Sequence, residues 1–320
     1  MPAPCIHYGN QITANCFAAV HFGASKSSVH YFDGVIHINL AIPVLGDSPE
    51  MLELWSTNTA LQHDTIGPLH IAHNGAFLFG ALCLDDTTQL EQTSHDIYKT
   101  ILAALTAHGY PALLRVWNYF PAITGHELDG ERYQLFCSGR HIACNTGPDY
   151  ETKLPAASAL GSHGTGLLLY FLAARDTSMQ VENPKQISAF HYPKQYGSRS
   201  PSFSRAIIKP WNDVTHFYLS GTAAVRGHAS EHPNDSLAQL QLSMDNIRQV
   251  LTQTHVQYPK FKQRLEDLSL LKVYLHNQAD YLLIRNELEK QLGTDLPVLY
   301  LLADVCRKEL LVEIEGYSVS

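Results

Sequence analysis

The sequence has 320 residues, room for about two domains of ordinary size, and its 45% hydrophobic and 16% charged residues exclude intrinsic disorder. A formal net charge of −8 argues against a general nucleic-acid or anionic-membrane surface. Eighteen histidines, against 22 lysines and arginines, raise the question of a metal.

The N-terminus carries no basic residue before Lys26 and no long apolar core, so no secretory signal is expected. Six cysteines without a C-x-x-C pair fit reduced thiols in a cytoplasmic protein. Strands are expected at Ser28–Phe32, Val35–Ile42, Leu69–Ile71 and Ala76–Leu84. A helix over about Gln92–Ala107 follows from Ile97, Ile101, Leu102 and Leu105, and His108-Gly109 ends it. Strands are then expected at Ala112–Tyr119 and Arg132–Cys137. Pro148–Pro155 reads as a connection, and Gly161–Gly166 as a flexible lead into a strand at Leu167–Ala173. Pro184–Ser204 holds three Pro and five Ser with Tyr192, Tyr196 and Arg199, which suits a long ordered loop of functional character. The remainder reads as strand Thr215–Ser220, helix Leu237–Thr252, strand Leu270–Leu275, helix Ala279–Leu292 and strands Val298–Ala303 and Leu310–Ser318. Helix and strand alternate in both halves, so the expected fold is α+β. It consists of two related units, 1–150 and 151–320, each a mixed sheet covered by helices on one face.

Several motifs compete for function. His228-Ala-Ser-Glu231-His232 matches a zinc pattern that requires a helix, but Gly227 and Pro233 on either side favour a loop. His70 and His73 are a fainter version of the same pattern. Gly161-Ser-His-Gly164-Thr-Gly166 precedes a strand and lacks the lysine of a phosphate loop. On a C-terminal strand Glu313 and Glu315 share one face, with Val312 and Ile314 on the other. Either they are solvated edge residues, or one sits in a cleft as a general acid with its pKa raised by burial. Arg140, Arg199 and Arg205 lie near aromatics in strand-end or loop settings. With Tyr196 they suit a pocket for a small dicarboxylate, because a guanidinium matches a carboxylate bidentately.

Residues Ser220–Ser318 resemble the RidA (YjgF) fold, through Ser-Gly-Thr, Asn246-Ile247, Lys272-Val-Tyr-Leu275 and Val312-Glu-Ile-Glu315. The substrate-gripping arginine that RidA enzymes carry after a Pro-Ala pair is missing, because the stretch reads Pro297-Val298-Leu299. A longer match, from about Arg115 onward, is similar to the chorismatase family. It includes Arg115-Val-Trp-Asn-Tyr-Phe-Pro121, Phe136-Cys-Ser-Gly-Arg140, Tyr192-Pro-Lys-Gln-Tyr-Gly-Ser-Arg-Ser-Pro-Ser-Phe-Ser-Arg205, Gly227-His-Ala-Ser230 and Asp304-Val-Cys-Arg307. That resemblance implies two RidA-like (chorismate mutase-like) units with the site between them, and conversion of chorismate with release of pyruvate. No cofactor, metal, nucleic acid or membrane is implied, and oligomeric state is left open. It further implies that Glu313 protonates the enolpyruvyl methylene, and that Arg140, Tyr196 and Arg199 hold substrate. Cys306, seven residues before Glu313, marks the branch forming 3-hydroxybenzoate, with 4-hydroxybenzoate as a further product. A second branch-determining position falls near Ala223-Ala224. The alternatives are a chorismate hydrolase giving a dihydroxycyclohexadiene carboxylate, a non-catalytic RidA-like binding module, and a zinc hydrolase using His228 and His232.

Overall fold

A computed structural model describes residues 3–46, 50–85, 88–145 and 147–320. Strands β1 (Cys5–Gly9), β2 (Cys16–Phe22), β3 (Ser28–Phe32), β4 (Val35–Leu40) and β5 (Leu52–Ser56) form a five-stranded sheet in the order β1-β5-β2-β4-β3. Only β3 and β4 were expected from sequence. β2 is buried along nearly its whole length, so it lacks the alternation that marks a half-exposed strand. β1 and β5 are too short and too mixed in composition to stand out.

Two six-stranded sheets follow. The first unit runs β6 (Gln62–Ile66), β7 (Leu69–His73), β8 (Phe77–Leu84), α1 (Leu90–His108), β9 (Ala112–Pro121), a short hairpin β10 (His126–Glu127) and β11 (Gly130–Glu131), α2 (Arg132–Cys144), β12 (Ala156–Ser162) and β13 (Leu167–Ala174). The second runs β14 (Met179–Val181), β15 (Ala206–Pro210), β16 (Thr215–Ala223), a hairpin β17 (Val225–Arg226) and β18 (Ala229–Ser230), α3 (Ser236–Gln257), β19 (Leu270–Leu275), α4 (Tyr281–Leu292), β20 (Val298–Leu302) and β21 (Val312–Val319). The sheet orders are β12-β9-β13-β8-β7-β6 and β14-β15-β16-β21-β19-β20. Read in chain order, these are one topology used twice, the two-unit α+β arrangement that the RidA resemblance implies. The division lies after Ala174 rather than at 150, because β12 pairs with β9, and β13 with both β8 and β9, so both belong to the first sheet.

Two local expectations change. Arg132–Cys137 is the start of helix α2, not a strand. Its buried positions Leu135, Phe136, Gly139, Arg140 and Ala143 repeat at helical spacing against α1. Gly139 allows that approach, since a Cβ there would collide with the α1 backbone at Glu91. Gly161, expected in a flexible lead, lies in β12 and donates its N–H to Asp304 O at 2.8 Å.

All three sheets turn one face to a single central core that includes Phe17, Trp55, Trp117, Tyr119, Tyr170, Tyr274 and Tyr317. The helices lie on the outer faces. α1 and α2 cover the first unit through Ile97, Ile101 and Phe136, and α3 and α4 cover the second through Leu240, Ile247 and Ile284. Strand alternation therefore sends Val312 and Ile314 outward to the helices and Glu313 and Glu315 inward between the units. No described helix is long and apolar enough to cross a membrane.

Candidate active site

A cavity of about 260 Å³ opens between the units, close to the lower size of small-molecule sites. Its walls come from the start of α2 (Tyr133, Gln134), the loop 184–204 (Tyr192, Tyr196, Phe203), Arg205, the end of β16 (Gly221, Ala223) and the segment Cys306–Leu310, with Glu313 at the sheet. The 184–204 loop is irregular as expected, with two 3-10 turns at Ala189–His191 and Lys194–Tyr196. A larger cleft, about 820 Å³, lies between the N-terminal sheet and α4. Its one arginine, Arg285, is already paired with Glu289 at 2.7 Å, and it holds no buried acid. Chemistry rather than size therefore places the site in the smaller cavity.

Glu313 and Glu315 occupy one face of one strand and meet opposite environments. Glu315 receives Arg115 Nη2 at 2.7 Å, Trp117 Nε1 at 2.8 Å, Lys272 Nζ at 2.9 Å and the Ser158 hydroxyl. These cations and donors outweigh its burial and hold its carboxyl below the ordinary range. Glu313 is 4% exposed, and among the described residues nothing donates a hydrogen bond to it. Burial, with the Glu315 charge adding to it against the opposing pull of Arg115, pushes its carboxyl up to about 8. The result is one carboxylate held ionised and one carboxylic acid held neutral beside a cavity, the division of labour that general acid catalysis needs. β16 bulges between Leu219 and Thr222, and Gly221 faces the acid. A Cβ at Gly221 would collide with the Glu313 carboxyl and come within 3.0 Å of Ser158 Oγ. Gly221→Ala should therefore cost about 1–3 kcal/mol through overpacking, read as a lower Tm. An unchanged Tm would mean that the carboxyl moves aside freely.

The structure brings Glu313, Cys306, Tyr196 and Arg205 to this cavity. Burial, then the Glu313 charge, pushes the Cys306 thiol up to about 12, so it stays a neutral thiol. Arg205 donates through Nη2 to Ile187 O at 3.0 Å and to Tyr192 Oη at 2.8 Å. Arg140 is elsewhere: it is buried on the inner side of α2 with its guanidinium 4.9 Å from the Tyr98 ring centre. Arg199 is exposed on the loop, near enough to His141 to lower that imidazole after burial has done so. Ala224 is fully buried in a small cluster with Val305 and Leu310, while its neighbours Ala223 and Val225 line the cavity. The residues Gly227–Ser230 belong to the β17–β18 hairpin, so His228 and His232 lack the helix that the zinc pattern requires. His228 Nδ1 instead lies 3.2 Å from Tyr196 Oη.

Sequence reasoning did not single out Arg307, although it lay in a quoted segment. Its guanidinium stacks 3.9 Å from the Tyr196 ring centre, and Nη1 donates to His228 O at 2.9 Å and Ser230 Oγ at 3.0 Å. Among the described residues, Arg205 Nη1 and Arg307 Nη2 make no hydrogen bond. Each guanidinium is thus anchored through one terminal nitrogen, with the other left without a hydrogen bond on the cavity wall.

Residues 53–173 match the family described as chorismatase FkbO/Hyg5-like, N-terminal. The chain is 32% identical over 289 residues to a 3-hydroxybenzoate synthase of Streptomyces hygroscopicus, covering 88% of this chain and 84% of that one. It is 34% identical over 246 residues to a chorismatase of Streptomyces rapamycinicus, covering 75% and 74%. A chorismatase crystal structure superposes with a TM-score of 0.91 over 99% of this chain and 98% of that one, at 28% identity.

Proposed function

The chain belongs to the chorismatase family, and on that premise we propose that it converts chorismate to 3-hydroxybenzoate and pyruvate with Glu313 as the acid. The observation that carries this reading is a carboxyl group kept in its acid form beside a cavity with two partly free arginines. Chorismate has two carboxylates, one on the ring and one on the enolpyruvyl group. Arg205 and Arg307 match them in number and charge.

The first step transfers the Glu313 proton to the enolpyruvyl methylene. The vinyl ether becomes an oxocarbenium centre, and the Glu313 carboxylate left behind stabilises that cation. Cleavage of the ring C–O bond then releases pyruvate. Cleavage leaves a ring cation at the former ether carbon, and direct loss of the proton from the neighbouring hydroxyl-bearing carbon would give 4-hydroxybenzoate. For 3-hydroxybenzoate that hydroxyl oxygen first bridges to the former ether carbon and gives up its proton. The bridge then takes a proton and opens at its original carbon, and loss of the hydrogen on the former ether carbon aromatises the ring. One proton returns to Glu313 overall, so the aromatising reaction uses no net water. Hydrolysis of the same cation consumes one water and leaves a dihydroxycyclohexadiene acid. Exclusion of water near the cation therefore decides the product. Cys306 fills wall space beside Glu313 as a neutral thiol. Cys306→Ala frees roughly the volume of one water and should move products toward the dihydroxy acid. Chromatography of the product mixture checks this, and an unchanged ratio removes Cys306 from the product decision.

The deciding experiment incubates the purified protein with chorismate, measures pyruvate and separates the ring products. Absence of pyruvate sinks the proposal, and pyruvate with only the dihydroxy acid assigns the hydrolase branch instead. A second readout is pH. Glu313 must hold its proton, so kcat/KM should be level below its pKa and fall about tenfold per unit above pH ~8. A fall beginning near pH 5 would exclude Glu313 as the acid.

A further inference from the structure

Glu53 reaches the centre of the molecule from β5, a strand that contributes nothing to the cavity around Glu313. One of its oxygens accepts hydrogen bonds from Trp55 Nε1 at 2.8 Å and the Tyr170 hydroxyl at 3.3 Å. The other lies 2.5 Å from Lys272 Nζ. The same ammonium is 2.9 Å from Glu315 Oε1 and 2.9 Å from Tyr170 Oη. Lys272 is thus shared between a carboxylate of the N-terminal sheet and the one two residues from Glu313.

We propose that Glu53 is a positioning residue for Glu313: by holding Lys272 between two carboxylates, it fixes the charge that Glu313 meets from the sheet side. This rests on the reading of Glu313 as the acid. Glu53 touches neither the cavity nor Glu313 and acts only through Lys272 and Glu315. The cluster behind the acid is Glu53, Glu315, Lys272 and Arg115, all at most 1–3% exposed, with two negative and two positive charges in balance. Removing the Glu53 charge leaves one positive charge in excess, which favours ionised Glu313. Removing the Lys272 charge leaves one negative charge in excess, which favours the acid form. On the cavity side Glu313 lies near Cys306 and shares the wall with Tyr133, Tyr192, Tyr196, Arg205 and Arg307, and with Glu131, Lys308 and Glu309. None of these is altered by a change at Glu53 or Lys272, so a shift reports the cluster.

The test needs no substrate. The carboxylic C=O stretch of Glu313, assigned by its loss in Glu313→Gln, is titrated by infrared difference spectroscopy. Glu53→Gln should lower the midpoint by about one pH unit, and Lys272→Met should raise it by about as much. The double variant Glu53→Gln/Lys272→Met, with the balance restored, should return close to the wild-type midpoint. A folded Glu53→Gln protein with an unmoved or raised midpoint overturns the proposal. Should Glu53→Gln not fold, Lys272→Met and the double variant decide alone, and an unmoved or lowered midpoint in Lys272→Met overturns it. A pyruvate assay on the same samples separates the two ideas. Shifted midpoints without pyruvate release would remove the chorismate reading and keep the charge coupling, whereas release with unmoved midpoints would do the reverse.

Discussion

Replacing Glu313 by Gln should lower pyruvate release from chorismate by about a hundred- to ten-thousand-fold, the usual range for loss of a positioned general acid, and leave the fold intact. Glutamine matches the carboxylic acid in shape and keeps a donor and an acceptor, but it has no proton acidic enough for a carbon atom. The same change should stabilise the protein in alkaline solution. The folded carboxyl titrates near 8 and the unfolded one near 4.5. Between those values the folded state holds a proton that the unfolded state has lost, so stability falls as pH rises through this window. Above pH ~8 the full cost of a buried charge is present, at most about 5 kcal/mol at ~1.4 kcal/mol per pKa unit. Glutamine removes it. Calorimetry should therefore show nearly equal Tm values for the two proteins at pH 4.5 and a higher Tm for Glu313→Gln at pH 9. Full activity in the variant refutes the acid role, and a Tm difference that does not grow with pH refutes the raised carboxyl.

Much of this site was legible in the sequence because it depends on short-range pattern. A period of two along Val312-Glu-Ile-Glu315 places both carboxylates on one face, and the structure keeps them there. What separates their roles is not local. Glu315 is fixed by Arg115, Trp117 and Ser158 of the first unit and by Lys272 of the second, partners between 43 and 200 residues away. A faint signal existed: Lys272 interrupts the apolar run Leu-Leu-Lys-Val-Tyr-Leu, and Glu53 the run Leu-Glu-Leu-Trp. A charge inside a buried strand needs a partner. Helix α2 was missed for a different reason, since its buried face carries Gly139 and Arg140 among the apolar positions and so hides its period.

The repeated topology also accounts for a carboxylate pair that only the second unit carries. Tyr119 of β9 and Tyr274 of β19 share a hydrogen bond of 2.8 Å between the units and occupy corresponding strands. Tyr274 pairs across its sheet with Glu313, and Tyr119 pairs with Leu168. By the same register Lys272 pairs with Glu315, and Trp117 with Tyr170. The first unit thus places Leu168 and Tyr170 where the second has Glu313 and Glu315. Its contribution to the site is to hold Glu315 and to wall the cavity with α2.

Lys272→Met should be the most destabilising single change in the centre of the molecule, at about 3–5 kcal/mol, the range for breaking a buried ion pair from one side. Lys272 is 1% exposed, and its ammonium faces Glu53 at 2.5 Å and Glu315 at 2.9 Å. Those carboxylates hold its pKa above the ordinary lysine value despite burial. The rings of Trp117 and Tyr170, 5.3 and 5.6 Å away, add a cation–π contribution. Methionine fills similar volume, so the loss is electrostatic rather than a cavity. It leaves two buried carboxylates with Arg115 as the remaining cation of the cluster. The double variant Glu53→Gln/Lys272→Met removes one charge of each sign and leaves Glu315 paired with Arg115, so it should regain more than half of the loss. Denaturant unfolding of the two single variants and the double variant checks this as a cycle. Additive losses would show that Glu53 and Lys272 are not coupled, and would dissolve the link between the N-terminal sheet and the second unit.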